Sequence, residues 1–215
     1  MGMRASVGFL HAGEASRAAA LELLARNRME ARAVHLVDPS LVDAGASEFP
    51  IDEVRYQAIL GRARELARKA DRIVLSCSVY NGVAPWLQDD LGIPVERSDA
   101  AAARELLETQ GPVGVLVSFP PTRPIVVDYL SEVFAGAEQL REIQAAVTED
   151  APPFATSADV YRDALLEAMR PLRDCSVLFL SQYSMHAHAE EIRAAWGDRP
   201  MVSAVEATVA ALSRA

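Results

Sequence analysis

Short apolar runs alternate with longer amphipathic stretches along the whole chain. This alternation is typical of βα units that build a parallel sheet. Strands are predicted near Ala5–Leu10, Ala31–Val37, Arg72–Ser76, Pro94–Glu96, Val113–Val117, Leu140–Ala145, Ser176–Leu180 and Met201–Val202. Helices are predicted over Val83–Leu91, over Ser98–Thr109 with a cap at Ser98, and over Thr156–Arg170 with an apolar stripe that begins at Val160.

The two halves of the chain repeat one another at an offset of 105 or 106 residues. The matching strings are Val7–Leu10 with Val113–Leu116, Val74–Cys77 with Phe179–Gln182, and Pro94 with Pro200. The alternative is that any two βα units look alike, but three matches in one order favour a duplicated domain. We therefore predict an α/β protein of two similar lobes, each a parallel sheet flanked by helices. A pseudo-twofold axis relates the lobes and a cleft lies between them.

The predicted first lobe covers residues 1–97 together with a C-terminal helix at 203–215, and the second covers residues 98–202. Parallel sheets carry functional loops at the carboxyl ends of their strands, so equivalent loops from both lobes should line the cleft. These loops are His11–Ala15, Cys77–Gly82, Ser118–Arg123 and Gln182–His188.

Composition excludes several classes of function. Half of the 215 residues are hydrophobic and the net charge is −9, which argues against disorder and against binding of nucleic acid. The absence of a long apolar segment or signal sequence predicts a cytoplasmic protein without a membrane partner. Its Cys and His residues lack the spacing of a metal site, and Gly8 and Gly13 do not fit a dinucleotide fingerprint. No cofactor is expected, and assembly into a homo-oligomer is left open.

Cys77 is the first candidate for chemistry. It follows an apolar strand and precedes a predicted helix, where the helix dipole and free amides should favour the thiolate. A thiolate can act as a base or a nucleophile, whereas the alternative is an inert buried cysteine. Cys175 lies at the opposite edge of its sheet and is interpreted as structural.

Polar side chains in the same loops could hold a carboxylate or an enolate-like oxygen, with help from backbone amides. Each of the hydroxyls could equally be an ordinary helix cap, and Pro124 makes Thr122 or Arg123 a natural helix boundary. The candidates for substrate binding are Ser78, Asn81, Ser118, Thr122 and Ser184.

The element order, the repeat and the sequence around Cys77 resemble the aspartate/glutamate/hydantoin racemase superfamily. Its members carry Cys-Asn-Thr after the third strand of one lobe and Gly-Cys-Thr at the equivalent point of the other. This chain reads Ser76-Cys77-Ser78-Val79 at the first point and Ser181-Gln182-Tyr183-Ser184 at the second. The resemblance implies cofactor-independent chemistry on a small carboxylate-type substrate, with Cys77 in the active site.

Gln182 departs from the family pattern, because an amide cannot supply the second proton that racemisation needs. Either His11, Tyr183 or His186 takes that role, or the reaction needs one acid/base group, as in the related arylmalonate decarboxylase. That enzyme has its cysteine in the second lobe, whereas the related maleate isomerase uses its first-lobe cysteine as a nucleophile. The resemblance thus implies a racemase or isomerase. A lyase, or a binding protein that has lost its chemistry, is the alternative.

Overall fold

The computed structural model describes residues 6–42, 50–148 and 157–214. Within these residues the chain forms two four-stranded parallel sheets. The first has the order β2-β1-β3-β4 and the second has the equivalent order β6-β5-β7-β8. The strands are β1 (Val7–His11), β2 (Ala33–Val37), β3 (Arg72–Leu75), β4 (Val95–Arg97), β5 (Val113–Val117), β6 (Ile143–Val147), β7 (Val177–Leu180) and β8 (Met201–Ser203).

Helices connect the strands of both sheets. They are α1 (Glu14–Arg26), α2 (Glu53–Ala67), α3 (Ala84–Leu91), α4 (Ala100–Leu107), α5 (Thr122–Gly136), α6 (Ala158–Ala168), α7 (Ala189–Trp196) and α8 (Ala204–Arg214). Two 3₁₀ segments, Ser78–Val83 and Tyr183–His188, follow β3 and β7 at equivalent points. None of the helices in the described ranges is long and apolar enough to span a membrane.

The repeat seen in the sequence extends to side-chain packing. Gly8 on β1 lies so close to α2 that a Cβ atom there would sit 3.1 Å from Leu66 Cβ. Gly114 on β5 has the equivalent neighbour, since its Cβ would sit 3.1 Å from Leu172 Cβ. In each lobe the missing Cβ atom of this glycine lets the segment before the third strand pack closely against the first strand. The internal duplication is therefore confirmed.

Alternate residues of each strand face different cores. Val7, Phe9 and Val74 of the first sheet face the second sheet across a shared core, whereas Leu10, Ile73 and Leu75 pack under α2 and α3. In the second sheet Leu116, Leu178 and Leu180 pack under α6 and α7 in the same way. Burial of each such side chain contributes about 1.5–3 kcal/mol.

Helices α1, α4, α5 and α8 fill the layer between the sheets. Their packing is reciprocal: α1 contacts the 3₁₀ segment after β7, and α5 contacts the 3₁₀ segment after β3. Helix α8 packs on α1 and on α4. Each lobe therefore supports the loop that follows the third strand of the other lobe. The domain boundaries at residues 97 and 98 stay a prediction.

The predicted strands are confirmed with small shifts at their ends. The largest shift is at β6, which begins at Ile143, while Leu140 is 99% exposed. Its neighbour Arg141 donates from Nη2 to the Gly111 carbonyl at 2.7 Å, which ties this segment down as a loop. Ala5 lies outside the described residues.

Three details of the helix predictions need correction. Ser98 does not cap α4, which begins at Ala100, because its hydroxyl accepts a hydrogen bond from Asn81 at 2.8 Å. Val160 is exposed, although Leu165 of the same predicted stripe is buried, and Tyr161 joins Leu165 on the buried face of α6. Helix α6 is capped by Ser157, while the predicted start at Thr156 lies outside the described residues.

Candidate active site

A cavity of about 490 Å³ lies at the carboxyl ends of strands from both sheets. Its walls come from the loop after β1, the end of β2, the loop after β3, and the loops after β5 and β7. The lining residues are Ala12, Gly13, Glu14, Ala15, Ser16, Pro39, Val42, Ser76, Cys77, Ser78, Val79, Phe119, Gln182, Tyr183 and Ser184. The lobes thus meet at the cavity that the repeat predicted.

Cys77 and Gln182 hold equivalent positions at this cavity. Each follows a serine whose hydroxyl donates to the carbonyl at the equivalent position of the lobe's first strand. The distances are 2.9 Å from Ser76 to Leu10 and 2.7 Å from Ser181 to Leu116. The backbone of Cys77 (φ −110°, ψ 119°) and of Gln182 (φ −126°, ψ 138°) is extended, and both side chains line the cavity.

The Cys77 thiol is protonated in this environment. Burial raises its pKa to about 12, and the backbone N–H of Val79 opposes that shift only in part. The expectation that the position favours the thiolate is therefore wrong. The segment that follows is a six-residue 3₁₀ turn rather than an α-helix, so the helix terminus invoked for stabilisation is not adjacent. The side chain remains partly exposed at the cavity, unlike that of Cys175.

The Gln182 side chain is held by hydrogen bonds from Ser118. The backbone N–H of Ser118 donates to Gln182 Oε1 at 2.6 Å, and the Ser118 hydroxyl donates to the same atom at 2.9 Å. Tyr161 donates to the Ser118 hydroxyl at 2.9 Å and lies 3.1 Å from that of Ser184. Sequence reasoning missed Tyr161, whose only signal was an aromatic residue on a predicted helix.

His11 does not face the cavity, and this prediction is wrong. The side chain is fully buried and stacks with Phe9 and His35 on the inner face of the sheet. Its Nε2 lies 2.9 Å from His35 Nδ1, and its Nδ1 lies 2.6 Å from Ser76 Oγ. Burial lowers the pKa of His11 to about 3 and, more weakly, that of His35 to about 4. Both rings are therefore neutral near pH 7.

The protons of this histidine pair can be assigned from the duplicated half. Ser181 donates to a strand carbonyl where no imidazole is near, because the residue equivalent to His11 is Val117. If Ser76 donates in the same way, His11 Nδ1–H donates to Ser76, and His35 Nδ1–H donates to His11 Nε2. With the protons assigned in this way, His35 Nε2 carries a buried lone pair. This atom has no hydrogen-bond partner among the described residues.

His186 also lies outside the cavity, so it cannot be the second acid there. It occupies a separate depression, with Nδ1 at 3.6 Å from Glu206 Oε1 and Nε2 at 3.9 Å from Glu22 Oε2. Tyr183 does line the cavity, but it is nearly fully buried and burial raises the pKa of its hydroxyl. A proton from Tyr183 is therefore hard to release near neutral pH.

The predicted binding residues divide into two groups. Ser78 and Ser184 line the cavity, and Ser118 reaches it through Gln182. Asn81 is buried and bridges to Ser98, accepting its backbone N–H at 3.0 Å. Thr122 donates to the Phe119 carbonyl at 2.8 Å and begins α5. The last two side chains are structural, so their expected contact with substrate is not supported.

The cavity wall is mainly apolar and carries little charge. Val42, Val79 and Phe119 form its apolar side. Glu14 is the charged residue among the described residues that line it, and its side chain is 71% exposed and paired with Arg17. In the described part of the chain no cluster of His, Cys, Asp and Glu could hold a metal ion.

Comparison with known proteins identifies the fold. Neither a protein-family model nor a curated protein matches the sequence. Among solved structures, glutamate racemase from Bacillus anthracis is similar over 99% of this chain and 82% of its own, with a TM-score of 0.75 and 18% identity. Aspartate racemase from Picrophilus torridus covers 97% of this chain and 92% of its own, with a TM-score of 0.70 and 15% identity.

Allantoin racemase from Klebsiella pneumoniae gives a third match, with a TM-score of 0.68 and 16% identity. The match covers 98% of this chain and 86% of the racemase. The two-lobe fold is thus the one seen in these glutamate, aspartate and allantoin racemases, as the sequence resemblance implied. At these identities the likeness establishes the fold.

Proposed function

We propose that this chain is a cofactor-independent enzyme that acts at a carbon next to a carboxylate or similar carbonyl. Cys77 is the group that exchanges a proton with that carbon. The observation that carries the proposal is the pair of equivalent positions at the cavity, one occupied by Cys77 and the other by Gln182. The solved structures with this fold include racemases named for glutamate, aspartate and allantoin, which favours an isomerase.

A single thiol determines the stereochemistry of such a reaction. In its thiolate form Cys77 can remove a proton from one face of the carbon and return one to the same face. The Gln182 amide is not acidic, so it cannot transfer a proton to the opposite face. An optically active substrate in heavy water should therefore gain deuterium faster than it racemises.

Decarboxylation is the second candidate, and the protonation state of Cys77 favours it. When a carboxylate leaves as CO₂, its bonding electrons remain on the carbon, and the Cys77 thiol can protonate that carbanion directly. Burial raises the pKa of Cys77 to about 12, so the proton is present before reaction. The thiolate formed then takes a proton from water, which completes the cycle without a cofactor.

The test is exchange from solvent deuterium into amino acids and hydantoins, together with CO₂ release from substituted malonates. We expect wild-type protein to catalyse one of these reactions. Cys77→Ala should lower its rate by about 100-fold or more, as expected for loss of a general acid–base group. Cys175→Ala is the matched control and should retain the rate, because Cys175 is buried away from the cavity.

The non-catalytic alternative gives a different result. A protein that only binds its ligand would show saturable binding without exchange or CO₂ release, and Cys77→Ala would leave it unchanged. A cytoplasmic location and assembly into a homo-oligomer remain predictions from the sequence.

A further inference from the structure

Gln182 presents a hydrogen-bond donor to the cavity. A backbone N–H can only donate, so the atom that Ser118 N–H contacts at 2.6 Å must be the Gln182 carbonyl oxygen. The Ser118 hydroxyl donates to that oxygen as well. The amino group, Nε2, is therefore the free end of this half-buried side chain, because both hydrogen bonds of Gln182 with described residues are made by its oxygen.

Hydrogen bonds behind Gln182 hold it in this orientation. Because the Ser118 hydroxyl donates to Gln182, it accepts from the Tyr161 hydroxyl, which in turn accepts from Ser184. Tyr161 is buried on α6 beside His188. The amide is thus fixed before a ligand arrives, which lowers the entropy lost on binding.

A second polar group faces the same cavity from the opposite lobe. Ser78 is 3% exposed and lines the cavity beside Cys77, and its hydroxyl has no partner among the described residues. An unpaired buried hydroxyl costs free energy that a ligand oxygen can recover. Gln182 and Ser78 therefore offer hydrogen bonds from both lobes.

The rest of the wall disfavours a second charge on the ligand. Val42, Val79 and Phe119 are apolar, and the described residues that line the cavity include no Lys, Arg or His. A carboxylate against this wall would lose its hydration without a compensating cation. An apolar substituent would gain about 25 cal/mol for each Å² buried.

From these contacts we infer that the cavity binds a monocarboxylate with an apolar substituent, and that Gln182 Nε2 donates to one of its carboxylate oxygens. The inference rests on the proton-exchange form of the proposed function, in taking this ligand class to be that of the substrate on which Cys77 acts. The malonates of the decarboxylation candidate carry a second carboxylate and lie outside this class. Gln182 is then a binding residue in the position equivalent to Cys77, and Ser118 and Tyr161 are positioning residues.

The experiment compares the binding of isocaproate and succinate to the full chain by calorimetry. The two acids have the same shape, because an isopropyl group in one replaces a carboxylate in the other. Isocaproate should bind at least about 10-fold more tightly, given the cost of placing an unpaired charge on an apolar wall. Equal affinities, tighter binding of succinate, or no binding of either acid would overturn the inference.

Substitution of Gln182 tests the donor. Gln182→Glu keeps the shape and the bonds from Ser118, but replaces the amino group with an oxygen that repels the ligand. We expect isocaproate binding to weaken at least about 10-fold, whereas Gln110→Glu, an exposed control for added charge, should leave it unchanged. An unchanged affinity in a folded Gln182→Glu protein would sink the assigned role.

Tyr161→Phe tests the positioning network. Loss of the hydroxyl should weaken isocaproate binding about threefold to 10-fold in wild type, since one neutral hydrogen bond is removed. It should have no further effect in Gln182→Glu, because its action passes through the amide. Additive effects would mean that Tyr161 is merely structural. Binding requires no proton exchange, so failure here and failure of the proposed reaction are separately visible.

Discussion

The two lobes share a backbone plan but differ in the side chains at the ends of their strands. Both have the same strand order, the same close glycine and the same serine-to-carbonyl hydrogen bond. The first lobe then places Cys77 at the cavity, where the second places Gln182. The same backbone plan therefore accommodates a thiol in one lobe and an amide in the other.

The inner faces of the two sheets differ as well. The first lobe has the buried His11 and the half-buried His35 where the second has Val117 and Ala145, at equivalent positions of the strand pairing. The first lobe therefore carries buried polar groups that become charged at low pH. Each lobe therefore provides the matched substitution for the other.

The largest expected effect comes from a variant with a thiol at both of the equivalent positions in the cavity. Gln182→Cys places an acid/base group on the second face of the substrate carbon. The rate of racemisation relative to deuterium exchange should then rise by about 100-fold, the range for one general acid–base group. The measurement follows optical rotation and deuterium incorporation in the same sample.

Gln182→Ser serves as the control, because it removes the amide without adding a comparable acid. If the wild-type protein racemised its substrate as fast as it exchanged deuterium into it, the expected difference between the two sides of the cavity would be wrong. A second acid would then have to lie among the residues outside the described ranges or in Tyr183.

Acid should destabilise the first lobe through its histidine pair. Burial lowers the pKa of His11 to about 3 and of His35 to about 4, below their ordinary value of 6.5. The unfolded chain therefore binds more protons below about pH 6.5, and stability is lost as pH falls toward about 4. We expect a loss of roughly 2 kcal/mol or more in the free energy of unfolding, measured by urea titration.

The matched variant carries the second-lobe residues at both positions, His11→Val with His35→Ala. Its unfolding free energy should vary less between about pH 6.5 and about pH 4.5, whatever its absolute stability. A pH dependence identical to that of wild type would show that other groups dominate this range.

A further effect on stability should be equal in the two lobes. A Cβ atom at Gly8 or at Gly114 would lie 3.1 Å from a leucine Cβ on the neighbouring segment. Gly8→Ala and Gly114→Ala should each destabilise the protein by about 1–3 kcal/mol through overpacking. Thermal unfolding of both variants is the measurement, and markedly different losses would argue against equivalent packing.

Gly61→Ala is the control of opposite sign. Gly61 lies inside α2 and a Cβ atom there would meet nothing within 4 Å. Alanine at this position should stabilise the helix by about 0.5–1 kcal/mol.

The strands, the two lobes and the position of Cys77 opposite Gln182 could be predicted from the sequence. The alternating pattern of a strand extends over a few residues, and the repeat is a match between short strings, so both can be recognised in the sequence. The alternation of side chains along β1 also predicts the true position of His11, which lies on the same inward face as Val7 and Phe9. Its place at the end of the strand suggested that its side chain faces the cavity. Because side chains alternate between the two faces of a strand, its position two residues after Phe9 places it on the core face instead.

The rest of the cavity depends on contacts between distant segments. Tyr161 meets Ser118 only because α6 packs over the second sheet, and Phe119 meets Val79 only because the lobes face each other. The protonation of Cys77 depends on burial by that same packing. None of these contacts leaves a pattern in a single sequence.

The reciprocal packing of α1 and α5 bears on how a cavity with Cys77 on one side and Gln182 on the other could arise. If one lobe paired with a second copy of itself, twofold symmetry would place the same residue at both sides of the cavity. A thiol opposite an amide is available only once both halves belong to one chain and can change independently. Covalent linkage of the lobes is therefore what permits a cavity that treats the two faces of its ligand differently.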